Sequence, residues 1–165
     1  MICGLKIRNL RKDELKVLEK FTYLALYVPE GEEKFPYEIV FQPEISKYYK
    51  DIDLDREVVL VAVEDDEIIG AIWERLLDAD KRGYGYYKSS FSELMISIDF
   101  NHRQKGIGNQ LMIGFFDRLS EIGREGVSLS VSYGNNAIHL YKKFGFEVVK
   151  CRDDDILMIK ILKSK

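Results

Sequence analysis

A single mixed α/β domain is the fold class this sequence predicts, and three observations predict it. The 165 residues match the usual size of one domain with a sizeable core. Apolar residues make up 46% and charged residues 32% of the chain, the balance of an ordinary globular protein. Helical and strand periodicities alternate along the whole length, and strands and helices mixed in this way give a mixed sheet. No internal repeat, low-complexity tract or Gly/Ser/Pro linker divides the sequence, so one domain spans 1–165.

The elements follow in order from their patterns. Leu5–Arg8 reads as a short strand. Asp13–Tyr27 places Leu15, Val17, Leu18, Phe21, Leu24 and Leu26 at helical spacing. Pro29, Pro36 and Pro43 concentrate irregular structure in the next stretch, with a short helix near Glu44–Tyr49. Val58–Val63 is continuous and β-branched, as suits a strand buried on both faces. Asp65-Asp66 breaks it, and Ile68–Trp73 resumes as the second arm of a hairpin. Asp78–Ser92 is polar and carries Tyr84, Tyr86, Tyr87 and Phe91. Leu94–Phe100 alternates apolar and polar residues, as a strand does. Gly106–Ile122 sets Ile107, Leu111, Phe115, Leu119 and Ile122 on one face of a long helix. Val127–Val131 is a strand, and Asn136–Phe144 is a short helix closed by Gly145. Phe146–Val149 and Ile156–Ile161 form a closing hairpin. The order is β α α β β β α β α β β.

Composition excludes several functions. A net charge of −3 lacks the basic excess of a duplex-binding surface, so no nucleic-acid partner is expected. The longest apolar runs, Leu24–Val28 and Val58–Val63, stop at five and six residues, far short of the ~20 that span a bilayer. Met1–Lys6 lacks a basic start followed by an apolar stretch, which predicts no secretory signal and a cytoplasmic location. Cys3 and Cys151 are too few for a disulfide framework or a zinc site. His102 and His139 have no carboxylate or cysteine at ligand spacing, so no metal is expected.

The most informative segment runs from Ile96 to Leu111: a strand, a basic turn with two glycines, and the start of the long helix. Gly106 and Gly108 permit a sharp turn and close backbone approach. The unpaired N–H groups of the helix's first turn point outward at the positive end of its dipole, an arrangement that holds phosphate. Arg103 and Lys105 add charge beside it; the same glycines also suit a simple tight turn. Two other phosphate loops do not fit. A dinucleotide fingerprint needs Gly or Ala where Leu111 stands, and no Gly-Lys-Ser/Thr tripeptide exists.

Arg103-Gln104-Lys105-Gly106-Ile107-Gly108 does satisfy the pattern Arg/Gln-x-x-Gly-x-Gly/Ala. One helix and one strand later comes Asn135-Asn136-Ala137-Ile138-His139-Leu140-Tyr141-Lys142-Lys143-Phe144-Gly145-Phe146. Here Ala137, Leu140, Tyr141, Lys143, Gly145 and Phe146 fall in register with a second motif, Asn-x-x-Ala-x-x-Leu-Tyr-x-Lys-x-Gly-Phe. With both motifs in this order, the sequence resembles the GCN5-related N-acetyltransferase (GNAT) family. The resemblance covers residues 58–161 well, while residues 1–57 agree in element order alone.

The resemblance implies a mostly antiparallel central sheet flanked by helices, and an acetyl-CoA-dependent N-acetyltransferase. It implies acetyl-CoA as co-substrate, held by the backbone of Ile96 and Ile98, by the amides from Gln104 through Lys105, Gly106 and Ile107 to Gly108, by Arg103, and by Asn135. Lys142 and Lys143 lie where the adenosine phosphate would approach. Direct attack by an amine in a ternary complex is implied, without a covalent enzyme intermediate on Cys151. A lysine-like amine of pKa ~10.4 is neutral only to about 10⁻³·⁴ at pH 7, roughly 4.6 kcal/mol uphill. Removing that proton is therefore the larger acid–base task. Glu93, just before the strand Leu94–Phe100, matches the position of the family's carboxylate base, with Asp99 a weaker candidate. Tyr141 matches the acid that protonates the departing thiolate.

Residues 28–57 contribute nine acids against four cations, with Phe35, Tyr37, Phe41, Tyr48 and Tyr49 interleaved. An acidic, aromatic wall suits a small cationic amine acceptor; a solvated charged loop gives the same composition. A homodimer is compatible with this reading. The alternative from another class is a non-catalytic acyl-CoA-binding module with the same fold.

Overall fold

The computed structural model of the chain describes residues 4–162, so Cys3 lies outside the described residues. Among the described residues seven strands form one sheet: β1 (Leu5–Asn9), β2 (Val59–Glu64), β3 (Glu67–Arg75), β4 (Phe91–Ile98), β5 (Gly126–Ser132), β6 (Glu147–Cys151) and β7 (Asp155–Ile161). Four α-helices join them: α1 (Val17–Ala25), α2 (Pro43–Ser46), α3 (Ile107–Ile122) and α4 (Ala137–Lys143). The sheet order is β1-β2-β3-β4-β5-β7-β6. Every neighbouring pair is antiparallel except β4 and β5, which run parallel across the α3 crossover. The mixed, mostly antiparallel sheet and the order of elements are those expected.

Alternation along β2 explains how the sheet is covered on both sides. Val58, Leu60 and Ala62 pack against Leu111, Phe115 and Leu119 of α3. Val59, Val61 and Val63 turn the other way and pack with Leu18 and Phe21 of α1, together with Trp73. Each large apolar side chain buried in this way contributes about 1.5–3 kcal/mol. Asp65 and Asp66 both adopt positive φ (51° and 63°), as the two-residue β2–β3 hairpin requires. Among the described residues no helix is long and apolar enough to cross a membrane.

Two boundaries differ from expectation in ways that matter. The helix expected over Asp13–Tyr27 forms as α1 over Val17–Ala25, after a separate 3₁₀ turn at Lys12–Glu14. Glu14 is the cause: its carboxylate turns back to accept the Arg11 N–H at 2.9 Å and to pair with Arg8 at 2.8 Å. At the other end Leu26 is already extended (φ −71°, ψ 121°). The strand expected over Leu94–Phe100 is shifted towards the N-terminus, because Phe91, Ser92 and Glu93 pair with Gly126, Val127 and Ser128 of β5. Asp99 and Phe100 leave the strand, since the Asp99 carboxylate accepts the Asn101 N–H at 3.2 Å and caps the following turn. Glu93 therefore lies inside β4, 2% exposed, instead of standing at its entrance.

Candidate active site

The site begins with an interruption in the sheet. β4 and β5 pair only over Phe91–Glu93 and Gly126–Ser128, and beyond Glu93 the two strands diverge. On its other edge β4 remains paired to β3 as far as Ile98. The Asp99 N–H donates to the Ile69 carbonyl at 2.8 Å, which sets the phase of that antiparallel ladder. Glu93, Met95 and Ser97 direct their backbone groups to β3, and those of Ile96 and Ile98 turn towards the gap. The Ile98 carbonyl is taken by the Arg103 guanidinium at 3.1 Å, and the Ile96 backbone groups are left for an extended amide-bearing ligand.

A cleft of about 510 Å³ runs along the gap, lined by Leu24–Val28, Ile96–Ile98, Arg103, Gly108, Asn135, Leu140 and Tyr141, among others. At its phosphate end the amides of Gln104 through Asn109 donate to no acceptor among the described residues. Gln104 and Gly106 adopt positive φ (62° and 79°), which points successive N–H groups to the same side. A Cβ at Gly106 would meet open space, so its glycine answers to backbone conformation and not to crowding. The turn thus offers a cluster of outward amides at the start of a sixteen-residue helix, and a pyrophosphate fits that donor set.

A second cavity, about 450 Å³, opens from the opposite end and shares Ala25, Leu26, Tyr27 and Asn135 with the first. Phe35, Ile39, Ile45, Tyr48, Tyr84 and Met95 supply apolar and aromatic wall. Its acids are Glu93, Asp154 and Asp155, and no Lys or Arg lines it. Glu93 sits at the base of this cavity. Its Oε2 accepts the Gly83 N–H at 3.0 Å, while Oε1 accepts the Gly85 N–H at 3.1 Å and the Tyr48 hydroxyl at 3.3 Å. Burial pushes the Glu93 carboxyl up; the two amides, Tyr48 and Lys47 oppose the rise without cancelling it. A carboxylate so placed takes up a proton more readily than an exposed one. Tyr141 lies on α4 in the first cleft, half-buried, its ring edge-on to Phe146 at 5.9 Å. Desolvation pushes its phenol up to about 12, so it keeps its proton at neutral pH.

A family model described as an acetyltransferase (GNAT) domain matches residues 55–148, over half of the chain. The chain belongs to the GNAT acetyltransferase family. Its acetyl donor is acetyl-CoA, and the cleft with its outward amides has the donors that this group needs. Solved structures share the fold at low identity. YncA from Salmonella typhimurium, solved with its cofactor acetyl-CoA, aligns at TM-score 0.69 and 17% identity over 97% of this chain and 95% of that one. The PaiA N-acetyltransferase from Thermoplasma acidophilum, in complex with coenzyme A, aligns at 0.66 and 20% over 96% and 99%. The ribosomal-protein-S18-alanine N-acetyltransferase from Escherichia coli aligns at 0.67 and 16% over 98% and 96%. None of the curated proteins is a sequence match.

Within this GNAT domain the expected residues fall on two sides of the gap. Ile96, Ile98, Arg103, Gly108, Asn135 and Tyr141 line the first cleft, and Glu93 lines the second cavity. Gln104, Lys105 and Gly106 are exposed at the turn, while the Ile107 side chain is buried in the core. Arg103 also has a structural tie. Its guanidinium donates to the Ile98 and Leu24 carbonyls at 3.1 and 3.2 Å, tying β4 to the C-terminal end of α1, where a cation suits the helix dipole. Asn135 spends its Oδ1 on the Ala137 N–H at 2.9 Å, which leaves its amide donors for a ligand. Asp99 pairs with Lys20 at 3.1 Å and is held below its ordinary value, which suits it poorly as a base. Lys143 donates to Asn109 at 2.7 Å, and Lys142 is exposed.

The acidic wall is also corrected. From residues 28–57 the second cavity receives Phe35, Ile39, Ile45 and Tyr48, but none of the acids. Glu57, for one, is buried in an ion pair with Arg75 at 2.9 Å. The carboxylates come instead from β4 (Glu93), the β6–β7 turn (Asp154) and the first residue of β7 (Asp155). Tyr48, Gly83 and Gly85 were not singled out by sequence reasoning, although Gly83-Tyr84-Gly85 stands just ahead of the base candidate. Among the described residues no cluster of three His, Cys, Asp or Glu side chains could hold a metal ion.

Proposed function

We propose that this chain transfers the acetyl group of acetyl-CoA to the primary amine of a small cationic acceptor, by direct attack in a ternary complex. The observation that carries the reading is the meeting of two clefts where β4 and β5 part, one built of backbone donors and the other of carboxylates and aromatic rings. Acetyl-CoA supplies the activated thioester. Ile96 and Ile98 bind and orient it through backbone groups, with the amides of Gln104–Gly108 on its pyrophosphate and the Asn135 side-chain amide beside them.

Glu93 is the base in this reading. An amine entering the cavity loses water, and desolvation favours its neutral form. The same desolvation raises the proton affinity of Glu93, so the two affinities converge and the proton moves at lower cost than in water. Tyr141 Oη holds the proton that the departing sulfur takes up. Asp155 is paired with Arg152, so Glu93 and Asp154 are the lining carboxylates that favour an acceptor that arrives charged, and the aromatic wall adds cation–π attraction.

The test is thiol release from acetyl-CoA across a panel of amines, comparing wild type with Tyr141→Phe and Glu93→Gln. Each variant is expected to lose about 10²–10⁴-fold in kcat/KM while calorimetry shows coenzyme A binding retained. Coenzyme A binding without thiol release on any amine would favour the acyl-CoA-binding module instead.

A further inference from the structure

Outside the motifs, a buried polar arrangement surrounds Glu93, and Tyr48 is its hub. The Tyr48 residue is 6% exposed. Its hydroxyl accepts the Tyr84 N–H at 2.7 Å and donates to Glu93 Oε1 at 3.3 Å. The backbone beneath it is held from β3: Trp73 Nε1 donates to the Tyr48 carbonyl at 2.8 Å, and Arg75 donates to the Lys47 carbonyl. A Cβ at Gly83 would lie 2.1 Å from the Tyr48 hydroxyl and 2.6 Å from Glu93 Oε1. Tyr48, Glu93 and the 83–85 segment are therefore packed against one another with no spare room.

Counting acceptor sites shows what the arrangement leaves. A carboxylate offers about four lone-pair positions. Oε1 is engaged by Gly85 N–H and Tyr48 O–H, and Oε2 by Gly83 N–H. One position remains, on Oε2. We propose that Tyr48 is a positioning residue for acetyl transfer, holding Glu93 and the Gly83–Gly85 segment so that this single free lone pair meets the acceptor amine. The inference rests on the reading of Glu93 as the base.

The groups facing Glu93 are few. From the α2 side come Tyr48 and Lys47, the latter engaged with the Arg82 carbonyl at 3.1 Å. Arg75 stands opposite on β3 but is paired with Glu57. Ser128 stands opposite on β5. Asp154 and Asp155 line the same cavity, Asp155 being paired with Arg152 at 2.7 Å. Tyr48 is thus the one side-chain hydroxyl bound to the carboxylate among the described residues, and as a donor it favours the charged form.

The experiment titrates the whole chain labelled with ¹³C at the glutamate carboxyl carbon, using Glu93→Gln to assign the Glu93 signal. It is paired with the pH profile of kcat/KM for acetyl-CoA and whichever of spermidine, glucosamine or lysine amide turns over fastest. In Tyr48→Phe the Glu93 midpoint is expected to rise by about one pH unit, and the acidic limb of the profile to rise with it. Activity then falls roughly tenfold below the midpoint and recovers at higher pH, with coenzyme A affinity unchanged. If a folded Tyr48→Phe protein keeps both midpoints, Tyr48 is structural only and the proposal fails. A carboxyl midpoint that moves without the acidic limb, or a wild-type limb that survives in Glu93→Gln, overturns the base reading and the inference with it. Should Tyr48→Phe not fold, 3-fluorotyrosine at position 48 keeps the ring and hydroxyl as a stronger donor. Both midpoints must then fall, and their failure to move sinks the proposal.

Discussion

The two clefts on either side of the β4–β5 gap are built on different principles. The first is made of backbone: the turned-out groups of Ile96 and Ile98 and the amides from Gln104 to Asn109, nearly all from one continuous segment. The second is made of side chains from α1, the 35–48 stretch, the Gly83–Gly85 loop, β4, β5, the β6–β7 turn and β7. In the proposed reading backbone donors recognise what every substrate pair shares, the coenzyme, and tolerate variation in most of the side chains around them. Side chains gathered from many separate segments can be changed one at a time, so in that reading the second cavity sets acceptor choice.

That contrast can be broken from either side. The largest effect is expected from Glu93→Gln, which removes the proposed proton acceptor while leaving its shape. A loss of about 10²–10⁴-fold in kcat/KM with unchanged coenzyme A binding by calorimetry would confine the defect to the second cavity. In the wild type the acidic limb of the rate profile should lie above the ordinary carboxylate value of 4.5, because burial raises the pKa of Glu93. Activity then falls as pH drops and the base becomes protonated.

Next comes Gly83→Ala. Its Cβ would meet the Tyr48 hydroxyl at 2.1 Å, so Tyr48 or the loop must shift, and a displacement of ~1 Å at a reacting group costs on the order of 10²-fold in rate. Steady-state kinetics should show the loss in kcat for the amine, with coenzyme A affinity retained.

The converse variant is Gly106→Val. A β-branched residue at φ 79° is strained by about 1–2 kcal/mol, so calorimetry should show coenzyme A binding weakened by up to roughly 30-fold with the second cavity untouched. If Gly106→Val instead altered amine selectivity, the division between the clefts would be wrong.

The smallest effect tests a region outside both. The Arg8 guanidinium and the Arg11 amide hold Glu14 down at about 2. Its contribution to stability is therefore present above pH ~4.5 and lost as pH falls through about 2. Glu14→Gln should cost only ~0.5–1 kcal/mol at pH 7, as partly exposed pairs do. Thermal melts should show the difference shrinking towards pH 2, with kinetics unchanged.

The first cleft was legible in sequence because its parts are contiguous. Arg103–Gly108 and Asn135–Phe146 each carry their geometry in local spacing, with glycines where φ turns positive and a helix beginning beside them. Even there the tie from Arg103 to the Leu24 carbonyl was not legible, since it spans 79 positions. Glu93 was found through its place in a family pattern, but its burial was not. It depends on a three-residue pairing with β5 that no local periodicity records. Tyr48 looked like one aromatic among five in an acidic stretch. What distinguishes it lies 36 and 45 residues away, in Tyr84 and Glu93.

By itself, then, the sequence determined the order of the elements, the two-faced burial of β2, and a backbone cradle at the start of α3. These follow from periodicity, glycine placement and capping, all of which act within a few turns of chain. Only the tertiary structure decided that β4 and β5 part after Glu93, that the carboxylates of the second cavity come from β4, the β6–β7 turn and β7, and that Tyr48 holds the carboxyl group. Those are contacts between segments distant in sequence, and their energy exists only once the sheet has closed around them.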